Sequence, residues 1–342
     1  MHCQRYKLRP KSGDQPPLEV TRRLSEESEV ELNPLQFGQP VDIELALETG
    51  ERALSNMPGY PRRSVDAALA YIHYCFGIGL RKFLVRIVDG GDQARDTSFS
   101  ACLKRLERQC AVLQLLRDAF PDAWFYIDPF GLALGEDDQW GTTSGKGEIS
   151  LALTERMFTQ AVQGYANAGA SYILTLGRFP KEVLVARRTL DHMGASTKIC
   201  CFSTNTETTQ AYAYLSQQST YHDSQQKVLP QNVGEMILWG LIDIACGANQ
   251  IIIKPSDNLH VLLRLMQLAH CPKTRKHFFE HPDIELLLAR SEFVAQVASK
   301  LLSDVLLTVL FERFVQIAST ANQGDGEVTI FDRNAALFMA AE

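Results

Sequence analysis

One lysine opens the chemistry of this chain. Ile251-Ile252-Ile253-Lys254-Pro255 is a run of β-branched residues that ends in lysine and proline. The apolar run reads as a buried strand, so Lys254 falls where a strand leaves an apolar core. Desolvation there disfavours the ammonium form and can leave a neutral amine. A neutral lysine amine is the nucleophile of Schiff-base chemistry on a carbonyl substrate. The plainer reading is a lysine that snorkels at a strand end, with Pro255 ending the strand.

Other chemistry-bearing residues are weaker signals. Asp128 closes the run Trp124-Phe125-Tyr126-Ile127 just before Pro129, the usual place of a turn aspartate. His270, Cys271, His277 and His281 cluster in sequence, and His277 and His281 could share a helix face as zinc ligands do. A polar surface helix explains them better. Gly145-Lys146-Gly147 lacks the spacing of a phosphate loop and reads as a flexible loop. Arg62, beside Arg63, reads as a solvated charge, and Glu235 as half of an Asn232-x-x-Glu235 helix cap.

These residues need a scaffold, and alternating elements supply one. Ser64 can cap a helix with Val65, Leu69, Ile72 and Phe76 on one face, ended by Gly77 and Gly79. Strands follow at 83–88, 124–128, 172–176, 198–203 and 251–254. Between them, Leu103, Leu106, Cys110 and Leu113 mark one helix. Thr154 can cap a second, Pro180 opens a third, and Asn232 starts a fourth. Repeated strand–helix units with apolar strands predict a parallel sheet, closed as a (β/α)8 TIM barrel. No Gly-x-Gly-x-x-Gly follows the early strands, which counts against a dinucleotide fold. Residues 1–32 are polar and read as an N-terminal arm; residues 33–342 read as one domain. Past Pro282 the pattern is helical to about 320, with one more strand at 327–331, so the last strands look diverged.

The bulk numbers bound the function classes. The chain has 342 residues, 45% of them hydrophobic, with 34 basic and 40 acidic residues and a net charge of −6. That balance argues against a nucleic-acid binder or a polybasic membrane anchor. No stretch spans a membrane and no signal peptide is legible, so the expectation is a cytoplasmic protein. Eight scattered cysteines, none in a CxxC, read as reduced buried thiols.

Several segments, in order, resemble the porphobilinogen synthase (5-aminolevulinate dehydratase) family. Asn56-Met57-Pro58-Gly59-Tyr60-Pro61-Arg62 resembles its Ser-Met-Pro-Gly-x-x-Arg signature, and Asn33-Pro34-Leu35-Gln36-Phe37 the apolar segment before it. Ala168-Gly169-Ala170 resembles Ala-Gly-Ala-Asp. Asp243-Ile244-Ala245-Cys246-Gly247-Ala248-Asn249, running into Ile253-Lys254-Pro255, resembles Asp-Ile-x-Glu-Gly-Ala-Asp ahead of Val-Lys-Pro. Order and spacing hold from about residue 33 to 262. The resemblance implies a TIM barrel, oligomers assembled through the N-terminal arm, and Lys254 as the second of two Schiff-base lysines.

The departures are as informative as the matches. Asn205, in Cys201-Phe202-Ser203-Thr204-Asn205-Thr206, stands where the family has its first lysine, and an amide cannot form an imine. Aligned without a gap from Asp128 to Gly141, the three zinc-cysteine positions hold Phe130, Leu132 and Trp140, and magnesium-type carboxylates are missing there too. Gly177 takes the place of a catalytic aspartate. Leu215 and Asp223 take the places of two carboxylate-binding arginines, and Arg290-Ser291-Glu292-Phe293 at best echoes a late Ser-Gly-Glu-Tyr. The large apolar trio could fill an emptied metal pocket.

The expectation is a diverged homologue with one working half-site. Lys254 would be catalytic, and Asp128, Asn205, Ser203 and Pro255 would bind a small keto acid such as 5-aminolevulinate. No metal or other cofactor is expected. Partners would be a second copy through the arm, or a true synthase in a hetero-assembly. Two alternatives stay open: a non-catalytic homologue that binds a ligand or partners a true synthase, and an active porphobilinogen synthase.

Overall fold

The structure is a computed structural model. It describes residues 34–54, 57–90, 96–135, 140–144, 147–179, 181–205, 233–254, 261, 264, 267–268, 271–289, 292–293, 296–297, 330–331 and 336. The chain divides into Met1–Asn33 and Pro34–Glu342. The arm expected over 1–32 lies outside the described residues, as do Leu215, Asp223 and most of the region past 297.

Strand β1 (Phe37–Glu44) is followed by a hairpin, β2 (Glu51–Leu54) and β3 (Met57–Arg63). Helix α1 (Val65–Gly77) then leads into β4 (Lys82–Val88), α2 (Phe99–Ala119) and β5 (Trp124–Asp128), which ends in a 3-10 turn over Pro129–Leu132. Next come α3 (Leu151–Asn167), β6 (Tyr172–Thr175), α4 (Glu182–Met193), β7 (Lys198–Asn205), α5 (Val233–Ala245) and β8 (Gln250–Lys254). Two short helices, α6 (Pro272–Phe279) and α7 (Pro282–Leu288), precede β9 (Ile330–Phe331), which falls inside the strand expected at 327–331.

Strands β1, β4, β5, β6, β7 and β8 pair in that order, all parallel. The other edge of β1 pairs with β9 near its start and touches β3 at Ile43. No pairing between β8 and β9 occurs among the described residues.

Residue parity gives this sheet two buried faces. Phe83, Val85, Ile87, Phe125, Ile127, Ile173, Ile199 and Cys201 join the helices in an outer core. The alternate residues Leu84, Tyr126, Tyr172, Leu174, Cys200 and Phe202 form a separate inner cluster, with Ile252 packed against it. Strands buried on both faces are what a parallel sheet under helices requires. The Tyr126 hydroxyl donates to Gln250 Oε1 at 3.3 Å. That bond joins β5 to β8, three strands apart in the sheet order, so it crosses the lumen. Tyr126 also stacks on Tyr172, with ring centroids 4.2 Å apart.

Local expectations hold with adjustments. Ser64 caps α1 by accepting from Ala67 N at 3.2 Å. The buried stripe of α1 is Ala68, Ile72 and Cys75, with Val65, Leu69 and Phe76 on its flank. The apolar face is therefore turned by about one position from the one the spacing picked out. Ser150, not Thr154, caps α3. Thr154 lies one turn in, where its Oγ1 accepts from Thr142 N at 2.9 Å. Helix α4 begins at Glu182, after Pro180. The cysteines among the described residues are free thiols.

β1 and its hairpin are additions to the sequence reading. Asp42 and Glu44 alternate with Val41 and Ile43, so the strand carries carboxylates on its lumen side. Their charge is matched by arginines distant in sequence, which is why an apolar pattern did not reveal the strand.

Candidate active site at the barrel mouth

In a (β/α)8 barrel, chemistry belongs at the C-terminal ends of the strands. Here those ends carry Glu44, Val88, Asp128, Thr175, Asn205 and Lys254. Two stretches of this rim differ sharply.

At β7 and β8, Asn205 and Lys254 are direct partners in the parallel register. The register shifts between Cys201 and Thr204, an irregularity that inserts one extra residue into β7 beside the rim. Lys254 shares its strand alternation with Gln250 and Ile252, which belong to the lumen. Backbone pairing thus brings together Lys254 and the position that the resemblance assigns to the family's first lysine. Pro255 lies outside the described residues, as do the side chains of Ser203, Asn205 and Lys254.

At β5 and β6 the rim is built of buried ion pairs. Asp128 is 8% exposed, and its Oδ1 accepts from Phe130 N at 2.9 Å, capping the 3-10 turn. The same oxygen accepts from Arg178 Nη2 at 3.3 Å. Arg178 Nη1 donates to Glu182 Oε1 at 2.7 Å, and the Arg178 side chain is 0% exposed. Glu182 Oε2 accepts from the backbone of Arg178 at 2.8 Å and of Leu176 at 3.2 Å. Burial raises the Glu182 carboxyl above its ordinary value, opposed by Arg178 and by the two backbone donors. Gly177, with φ +71, makes the reversal that brings Arg178 back toward β5.

An apolar plug surrounds these ion pairs. Phe130, Leu132 and Trp140 are all buried. The Trp140 indole N–H donates to Phe130 O at 3.0 Å, and its ring lies 4.6 Å from the Arg178 guanidinium carbon. Phe158 meets Trp140 and Phe179 edge to face. None of the three side chains at the zinc-cysteine positions can ligate a metal, and a guanidinium already sits among them. Among the described residues no three His, Cys, Asp or Glu side chains converge as a metal site. Among the described residues, those at the three aligned positions do not fit the family's metal.

A second charged set lines β1 and β4. Arg86 donates from Nε to Asp42 Oδ1 at 2.7 Å and from Nη2 to Oδ2 at 3.1 Å, a two-point bond fixed by the register pairing of the two residues. Tyr60 on β3 adds a hydroxyl to Asp42 at 3.3 Å. Glu44 is held by Arg52 and lies 3.7 Å from Arg62. Arg62 and Arg63 are therefore buried rather than solvated. Arg63 pairs with Glu51 at 2.8 Å and lies 3.7 Å over the Tyr71 ring.

The remaining signals resolve plainly. His277 lies in the last turn of α6 and His281 lies beyond the helix, exposed and 3.6 Å from Asp283, so they share no helix face. His270 lies outside the described residues. Glu235 accepts from the Trp239 indole at 3.3 Å; its supposed partner Asn232 is also outside them. Of Gly145-Lys146-Gly147 only Gly147 is described, and its flanks are tied down: Ser150 N donates to Thr142 O and Ser144 N to Glu148 O.

Sequence reasoning missed Arg178 and Glu182. The only signal was an Arg and a Glu four apart around Phe179-Pro180, and nothing in that spacing reports burial against a residue fifty positions earlier.

Among solved structures, delta-aminolevulinic acid dehydratase (porphobilinogen synthase) from Toxoplasma gondii ME49, in complex with the product porphobilinogen, matches with a TM-score of 0.61 at 16% identity. The match covers 96% of this chain and 92% of that one, and establishes the TIM-barrel fold. A Yersinia pestis DHPS bound to a pterine–sulfa conjugate covers 92% of this chain, but its TM-score of 0.35 carries no weight. No curated protein matches the sequence. The family model for delta-aminolevulinic acid dehydratase matches residues 12–274, well over half of the chain. The chain belongs to the delta-aminolevulinic acid dehydratase (porphobilinogen synthase) family.

Proposed function

We propose that this porphobilinogen-synthase-like protein is a one-lysine enzyme or binder of keto acids, with Lys254 forming a Schiff base. The observation that carries the reading is the register pair Asn205–Lys254 at the ends of β7 and β8. It sets one imine-forming residue beside an amide where the family pattern has two lysines. The amine nitrogen adds to the ketone carbon, the carbonyl oxygen leaves as water, and a C=N bond results. Asn205 and Ser203 are assigned to the ligand's polar groups. Asp128 keeps its Oδ2 without a hydrogen-bond partner among the described residues and is assigned to a ligand ammonium or hydroxyl.

Condensing two 5-aminolevulinates needs two held and activated substrates. Losing a nucleophile and a metal together costs several orders of magnitude in rate. Porphobilinogen formation by the two-lysine route is therefore not expected. The test is reductive trapping. Borohydride delivers hydride to the imine carbon and fixes the ligand as a secondary amine. Incubation with 5-aminolevulinate or another keto acid should add one ligand mass, less water and plus two hydrogens, at Lys254. No adduct with any keto acid tried would overturn the reading, and a porphobilinogen colour reaction would restore the synthase reading.

A further inference from the structure

We propose that the Arg178 guanidinium is the built-in cation of the β5–β6 rim, and that it has taken over the charge a divalent metal would supply, so the site works without metal. The first support is position. Arg178 contacts Asp128, which opens the metal-binding segment of the family pattern, and lies 4.6 Å from the ring of Trp140, which ends it. The second is donor chemistry. Phe130, Leu132 and Trp140 offer the site no side-chain acceptor, and the indole N–H is already given to a backbone carbonyl. The third is charge. Asp128 and Glu182 are both buried, and among the described residues the cation bonded to both is Arg178, whose side chain is 0% exposed. Two carboxylates this close need a cation between them.

The fourth support is construction. Gly177 turns the chain, Glu182 accepts from the backbone of Leu176 and Arg178, and Trp140 covers the guanidinium face. A planar fork suits this place better than a compact ammonium, because it bonds one carboxylate with each arm and stacks on an aromatic face. The inference is independent of any imine at Lys254. It concerns which cation neutralises the opposite part of the rim.

Arg178→Met and Arg178→Lys test it, both near the original length, alongside metal analysis of the wild-type protein. The wild type should carry far less than one zinc or magnesium per chain, and its melting temperature should not move with a chelator or added divalent ions. Arg178→Met should melt about 5–10 °C lower, because removing one partner strands the buried carboxylates. Arg178→Lys should melt between the two. Zinc or magnesium should then raise the melting temperature of Arg178→Met, since two freed carboxylates flank the gap. A wild-type protein that holds one metal per chain and loses stability on chelation would overturn the proposal. So would a Lys variant no better than the Met variant, or a Met variant as indifferent to divalent ions as the wild type.

Discussion

Two stretches of one barrel rim are built in opposite ways. At β5 and β6 the positions that the resemblance aligns with the family's metal segment form a buried apolar plug, Phe130, Leu132 and Trp140, around Asp128, Arg178 and Glu182. At β7 and β8 the strand register sets position 205 against position 254, the two positions that the family resemblance aligns with Schiff-base lysines and that hold asparagine and lysine here. The first stretch is rebuilt as structure. The second keeps the layout of a site. Loss without replacement would leave polar groups stranded at the rim, at a cost of about 1–3 kcal/mol each. The buried plug bonds most of its polar groups, with Arg178 Nε and Thr175 Oγ1 left as buried atoms without a hydrogen-bond partner.

The contrast can be broken or sharpened by mutation. The largest effect should come at β8. Lys254→Arg keeps the charge but cannot form an imine, so the borohydride-trapped adduct should vanish, read by intact mass, while the urea midpoint stays near wild type. Asn205→Lys sharpens the same point: a second adduct per chain becomes available, yet no porphobilinogen should form, because the opposite rim remains rebuilt.

Next comes the ion-pair core. Arg178→Met should cost about 3–5 kcal/mol in urea unfolding. Combining it with Asp128→Asn and Glu182→Gln should recover part of that loss, since no buried charge is then unpaired. Full additivity of the three would argue against a shared network. In the plug, Leu132→Ala should cost about 3 kcal/mol through the cavity it leaves. Trp140→Phe should cost about 1–2 kcal/mol, chiefly from the lost indole hydrogen bond. Neither should change adduct formation at Lys254.

The smallest effect is a pH dependence. The folded-state carboxyl of Glu182 is raised, first by burial. A raised value means that its contribution to stability is full below the ordinary carboxylate range and is lost as pH rises through the raised value. The stability advantage of wild type over Glu182→Gln should therefore shrink from acid toward neutral pH in paired urea titrations. An advantage that grows instead would mean that Arg178 dominates over burial.

How much of this was legible in the sequence depends on where each residue finds its partner. Strands β4 to β8 announce themselves, because a strand buried on both faces must be apolar along its length, as in Phe83-Leu84-Val85 or Ile251-Ile252-Ile253. Strand β1 did not, because Gln39, Pro40, Asp42 and Glu44 interrupt it, and Asp42 is matched by an arginine 44 residues later. Lys254 and Asn205 were found through strand pattern and family resemblance, and the register pairs them. Arg178 stayed hidden because an arginine in a loop after a glycine looks solvated until Asp128 and Trp140 close over it. The same reasoning explains Arg62, which the neighbouring Arg63 made look like surface. Local pattern reports periodicity. It does not report a long-range partner that makes a buried charge tolerable.

The most direct test is tryptic mass mapping after incubation with 5-aminolevulinate and borohydride in the presence of a strong chelator. The account predicts one reduced adduct per chain, on Lys254, in the same yield with and without the chelator. An adduct on another lysine, no adduct at all, or porphobilinogen that appears only when metal is restored would contradict it.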